Sequence, residues 1–165
     1  MEPVRVEGTR LAELYVRYAD DAARLAYLIT GNRALAEDLM QDAFVRVAGR
    51  LLHLRDPGGF DAYLRRSVVN LAHSYFRRRK VERRYVERQA GAPRLDATDP
   101  DVPAREAMRL ALLKLPLRQR TAIVLRFYED LSEGETAALM GCRPGTVKSL
   151  TSRGMDNLRP LIEGI

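Results

Sequence analysis

Near its C-terminal end this sequence carries Ala137, Gly141 and Val147, small residues separated by four and six positions. Few folds satisfy that framework. An alanine is needed where two helices cross closely. A glycine accepts the positive φ of a tight turn without steric cost. A valine seats the second helix on the first. Ser132-Glu133-Gly134-Glu135 is a capping-box pattern, Ser at N-cap and Glu at N3, and it predicts a short helix over 133–140. Cys142-Arg143-Pro144-Gly145 then turns the chain into a second helix, predicted from about Gly145 to Leu158. This is the pattern of a DNA-binding helix-turn-helix, whose second helix enters the major groove N-terminus first. Arg143, Pro144, Thr146, Lys148, Ser149, Ser152 and Arg153 cluster at that end, and all but the proline can donate hydrogen bonds to phosphates and base edges. A plain αα-corner is the structural alternative. Cys142 is expected to be a small buried hydrophobe of the motif's core.

The rest of the chain shows no strand pattern. Leu11, Leu14, Tyr15, Tyr18, Ala22, Leu25, Ala26 and Ile29 form one apolar stripe at helical spacing. Gly31 suits a left-handed C-terminal cap and Asn32 an N-cap. In the next helix Leu35, Leu39, Ala43, Val47 and Leu51 face a core, opposite Glu37, Asp38, Gln41, Asp42 and Arg46. Asp56-Pro57-Gly58-Gly59 breaks the chain. A third helix follows, with Phe60, Leu64, Val68, Leu71 and Tyr75 inward, leaving Arg65, Arg66, Val69, Asn70, His73 and Arg77 for the surface. Ala104–Leu115 is helical and stopped by Pro116, and another helix is predicted from Leu117 to about Tyr128.

Residues 91–103 differ, with three prolines, three aspartates and little apolar periodicity. They read as a flexible acidic linker. The expected fold is therefore all-α, two small helical domains, 1–90 and 104–165, joined by the linker 91–103.

Composition removes several function classes. One cysteine, and two histidines twenty positions apart, disfavour a disulfide scaffold, a metal centre and a Cys–His nucleophile pair. No cofactor, metal or catalytic residue is expected. No stretch reaches the roughly 18 apolar residues of a membrane span. Glu2, Glu7, Glu13, Asp20 and Asp21 are unlike a secretory signal or an acidic-poor transit peptide, so a cytoplasmic protein is the default.

The charge is concentrated. The chain's net charge is +6, and residues 61–90 alone hold 9 basic and 3 acidic side chains. Arg77-Arg78-Arg79-Lys80 is the densest run, with Arg83, Arg84 and Arg88 beyond it. Such a patch suits a polyanion, although a charge run is often only a solvated helix face. Tyr63, Tyr75 and Phe76 are interleaved with the arginines, and rings that stack on unpaired bases are what single-strand binders add to basic charge.

In this order and spacing the motifs resemble the extracytoplasmic-function (group 4) sigma factors of bacterial RNA polymerase, over residues from about 10 to 162. The N-terminal resemblance rests on Thr30-Gly31-Asn32, on Ala36-Glu37-Asp38-Leu39-Met40-Gln41-Asp42-Ala43-Phe44, and on Leu64-Arg65-Arg66-Ser67-Val68-Val69-Asn70-Leu71-Ala72 with the arginine run. The C-terminal resemblance rests on Leu115-Pro116-Leu117-Arg118-Gln119-Arg120, Gly145-Thr146-Val147-Lys148-Ser149 and Ser152-Arg153-Gly154, the last similar to an actinobacterial, sigma-E-like branch. Two positions depart from the pattern. Ser74 stands where the family often has Asp, and no Trp accompanies Phe60.

The resemblance implies a region 2 that holds the polymerase β′ clamp through Asp38, Gln41, Asp42 and Arg46 and opens the −10 promoter element. It implies a region 4 that reads the −35 element and touches the β flap, with Asp96, Asp99 and Asp101 of the linker near the active-site cleft and RNA exit channel. Asn70, whose amide both donates and accepts, is the candidate base reader, and Arg65, Arg66, Arg77, Arg78, Arg79 and Lys80 are the candidate phosphate contacts. Partners are core polymerase, promoter DNA as duplex and single strand, and an anti-sigma protein. Free protein is expected to bind duplex promoter poorly, its domains masking each other or an anti-sigma protein occluding both. The competing reading is a stand-alone, dimeric DNA-binding regulator with residues 10–90 as sensor, which has no reason to carry the basic-aromatic helix at 60–88. A helical adaptor is a third reading, and an enzyme the least supported.

Overall fold

The computed structural model describes residues 3–50, 59–86 and 103–163, with side chains at 10–50, 59–80 and 103–163. Among them every regular element is helical: α1 (Pro3–Thr30), α2 (Arg33–Arg50), α3 (Phe60–Val86), α4 (Pro103–Leu113), α5 (Leu117–Ile123), α6 (Glu133–Met140) and α7 (Pro144–Ile162). A π-helical turn, Val124–Tyr128, continues α5. Leu51 and linker residues 91–102 lie outside the described residues. Pro103, expected to close the linker, instead starts α4, where its missing N–H costs nothing.

Helices α1 to α3 pack together because each presents one apolar stripe. Leu25, Ala26 and Ile29 of α1, Leu39, Ala43 and Val47 of α2, and Phe60, Leu64 and Val68 of α3 are buried. Phe44 and Phe60 meet edge-on at 5.6 Å, and Tyr15 meets Phe44 at 5.1 Å, which ties the open ends of the helices. The α1–α2 turn is short and well capped. Gly31 takes φ +73°, and Asn32 Oδ1 accepts from Leu35 N–H at 3.0 Å. The four-residue spacing on α2 holds, with Leu35 half-buried at its start.

Helices α4 to α7 have a core of their own, built on Ala111, Leu112, Leu115, Ile123 and Leu158. They are also docked on α1–α3. Val124, Leu125 and Leu139 belong to the same continuous core as Leu25, Val68 and Val69. Val69 is therefore 1% exposed, against its expected surface position, because the second helical group covers it.

Polar contacts line that seam. Thr121 Oγ1 donates to the Leu117 carbonyl at 2.8 Å, so it accepts from His73 Nε2 at 2.9 Å. Arg109 Nη1 donates to the Gly31 carbonyl at 3.3 Å. Arg120 is buried and lies 5.6 Å over the Phe76 ring, donating to the Leu113 and Leu115 carbonyls. Burial pulls its pKa down to about 10, so it still carries its charge at neutral pH. A Cβ on Gly31 would stand 2.6 Å from Leu113 Cδ1, so this glycine meets a conformational and a packing demand at once.

Candidate nucleic-acid interfaces

The helix-turn-helix forms from local rules. Ser132 Oγ accepts from Glu135 N–H at 3.1 Å, while Glu135 Oε2 accepts from Ser132 N–H at 2.7 Å, closing the capping box. Those bonds hold the Glu135 carboxyl below the usual carboxylate range. Gly141 adopts φ +65°, and no atom lies within 4 Å of where its Cβ would stand, so conformation alone demands glycine there. Cys142 N–H then bonds the Ala137 carbonyl at 3.1 Å. Ala137 and Val147 are buried at the crossing. Cys142 is half-buried rather than enclosed, because the turn sits at the surface.

Pro144 occupies the first turn of α7. Arg143, Pro144, Lys148, Ser149, Ser152 and Arg153 are exposed, and Thr146 is half-buried. The glycine of Ser152-Arg153-Gly154 has a structural cause. Its Cβ would meet Ile123 Cδ1 at 2.6 Å where α7 crosses α5.

A second candidate interface lies on α3. Its seam-facing side is used for docking, and the side bearing Tyr63, Arg66 and Asn70 opens into a cleft of about 420 Å³. Arg46 and Arg50 come from α2, and Ser67 and Ser74 complete the polar wall. Tyr63 is 47% exposed and Asn70 is exposed, so both a ring and an amide are open to a ligand. Arg77, Arg78, Arg79 and Lys80 follow on α3 and are exposed. Arg77 donates to Ser74 Oγ at 3.2 Å, and Arg79 to the Tyr75 hydroxyl at 2.7 Å.

Arg65 stands apart from that cluster. It is half-buried at the seam, paired with Asp61 at 3.3 Å and Glu129 at 3.2 Å. Among the candidate DNA residues it alone is engaged by the second helical group. Asp38, Gln41 and Asp42 lie exposed on α2, while Arg46 of the same expected set lines the cleft with Asn70. Arg50 and Ser67 were not singled out in the sequence, although Arg50 follows Arg46 by one helical turn. No helix is long and apolar enough to cross a membrane, and no group of metal-binding side chains occurs, among the described residues.

The helix-turn-helix on one helical group, set beside a cationic cleft with an open ring and amide on the other, is the architecture of a DNA-binding protein. Residues 14–82 match the family model for sigma-70 region 2, and residues 105–158 that for sigma-70 region 4. The chain is 39% identical over 149 residues to the RNA polymerase sigma-E factor of Streptomyces coelicolor, covering 89% of this chain and 83% of that protein. It is 37% identical to the ECF RNA polymerase sigma factor SigE of Mycolicibacterium smegmatis, covering 89% of this chain and 59% of that protein. A solved chain of the sigma factor RpoE from Bartonella quintana, crystallised with the anti-sigma factor NepR, has a TM-score of 0.72. It is 24% identical and covers 92% of this chain and 96% of its own, a likeness of fold. The chain belongs to the sigma-70 family, in its extracytoplasmic-function group, and is a transcription initiation factor rather than an enzyme.

Proposed function

We propose that residues 1–90 act as region 2, gripping the polymerase β′ clamp and melting the −10 element, and that 104–165 act as region 4, reading the −35 element and meeting the β flap. Residues 91–103 connect them. The observation that carries this division of labour is the α2–α3 cleft, where Arg46, Arg50, Tyr63, Arg66 and Asn70 converge.

Its mechanism is an exchange of stacking partners. Extruding a base costs a few kcal/mol, and stacking on an aromatic ring returns about 1–3 kcal/mol per base. Tyr63 supplies the ring, Asn70 the hydrogen bonds to a base edge, and Arg66 with Arg77–Lys80 the backbone neutralisation. Arg65 joins them when Glu129 releases it. On α7, Arg143, Thr146, Lys148, Ser149, Ser152 and Arg153 contact phosphates and base edges of duplex DNA, with Pro144 fixing the entry of the helix. Asp38, Gln41 and Asp42 face the polymerase. Arg46 serves the cleft as well as that surface. The protein works in the cytoplasm, and an anti-sigma partner would hold it away from polymerase.

In vitro transcription tests this reading. Added to sigma-free core polymerase, the protein should give promoter-specific transcripts. Asn70→Ala should retain polymerase binding yet lose permanganate reactivity of unpaired −10 thymines. Silence across a genomic promoter library would favour the stand-alone regulator.

A further inference from the structure

A second cavity, of about 640 Å³, opens at the seam where the α1–α2 turn meets the start of α4. Arg24, Arg33, Arg105 and Arg109 line it together with Tyr27 and Tyr128. It shares no lining residue with the α2–α3 cleft and none with α7.

Among the described lining residues four guanidinium groups face a single carboxylate, Glu106. Arg109 is bonded to Glu106 at 2.9 Å, which accounts for one of the four cations. Arg24, Arg33 and Arg105 are exposed and form no ion pair among the described residues. The Arg33 and Arg109 guanidinium groups lie 5.6 and 5.3 Å over the Tyr27 ring, which orients them before any ligand arrives. Tyr128 is 49% exposed and leaves an aromatic surface open beside them. Guanidinium forks match phosphate oxygens two at a time, and mutual repulsion on this rim is relieved when a polyanion fills it. The volume is that of a site for a small organic ligand, well beyond a lone phosphate.

We propose that this seam cavity binds a nucleoside polyphosphate, its phosphates held by Arg24, Arg33 and Arg105 and its base against Tyr128. The wall draws on α1, α2, α4 and the end of the π turn, so the ligand recognises the docked arrangement of the two helical groups. By linkage it strengthens that docking, and anything that separates the groups weakens its binding.

The test uses the full chain without polymerase or promoter, so its failure leaves the sigma-factor reading untouched. ATP, GTP, AMP and inorganic triphosphate are titrated by calorimetry, and thermal unfolding is followed with each. ATP or GTP should bind one to one and raise the melting temperature with concentration, with AMP and inorganic triphosphate at least about tenfold weaker. The pair Arg24→Ala and Arg105→Ala should weaken nucleotide binding about tenfold without altering ligand-free melting, since both side chains are exposed. Tyr128→Ala should bring ATP down to the level of inorganic triphosphate. The proposal is overturned if neither nucleotide binds, if inorganic triphosphate binds as tightly as ATP, or if Lys148→Ala with Arg153→Ala removes binding in place of the seam pair.

Discussion

Arg65 of α3 reaches across the seam to Glu129, which follows the π turn, with Nε 3.2 Å from Oε2. One of the six basic residues expected on DNA phosphates is thus neutralised by the protein's own second half. The bond is not fully compensating. Burial pushes the Glu129 carboxyl above the usual carboxylate range despite the opposing pull of Arg65.

Glu129→Ala should therefore leave Arg65 held by Asp61 alone and freer to meet nucleic acid. Binding of a single-stranded −10 oligonucleotide should tighten, and the slope of log affinity against log salt should steepen by about one contact. Fluorescence anisotropy across a salt series measures both. An unchanged slope would mean that Arg65 never meets a phosphate.

The seam should also respond to pH through His73. Burial, then Arg118, Arg77 and Arg120, hold its pKa below the usual 6.5. The docked protein thus favours the neutral ring, and the stability this supplies is complete above about pH 6.5 and lost as pH falls through the depressed value. The melting temperature should drop on acidification from neutrality. His73→Gln keeps a donor for Thr121 and should flatten that decline.

Gly31→Ala should destabilise the chain by about 1–2 kcal/mol from its left-handed backbone alone. The clash with Leu113 Cδ1, at 2.6 Å, adds to that. Leu113→Ala in the same chain should restore the steric share and leave the backbone share. Chemical denaturation of the two single variants and the double variant separates them, and simple additivity would deny the contact.

On α7, Lys148→Ala should weaken duplex binding nearly equally across −35 sequences and reduce the salt slope by about one. Arg143→Ala, at the end that leads into the groove, should lose discrimination between sequences. Competition binding with mutated −35 duplexes distinguishes the two, and identical profiles would remove the proposed order of contacts.

Much of the fold was legible because it rests on neighbours in sequence. The Ser132–Glu135 box, the left-handed Gly31 and Gly141, and the four-residue spacing on α2 each involve residues within one or two helical turns. The candidate cleft was legible in part. Asn70, Tyr63 and Arg66 share α3, whereas Arg46 and Arg50 arrive from α2, and no local pattern pairs them with Asn70.

Local sequence dictated the helices through periodicity, and their caps and the helix-turn-helix through particular residues, since a turn's φ angles and an apolar stripe are written in adjacent residues. Only tertiary packing decided that Val69 is enclosed, that His73 bonds Thr121 and Arg65 bonds Glu129, and that a basic cavity forms beside Gly31. The reason is physical. A helix exposes several faces, its own sequence reveals which are apolar, and the docking of distant segments determines which polar face becomes a seam and which remains open to a ligand.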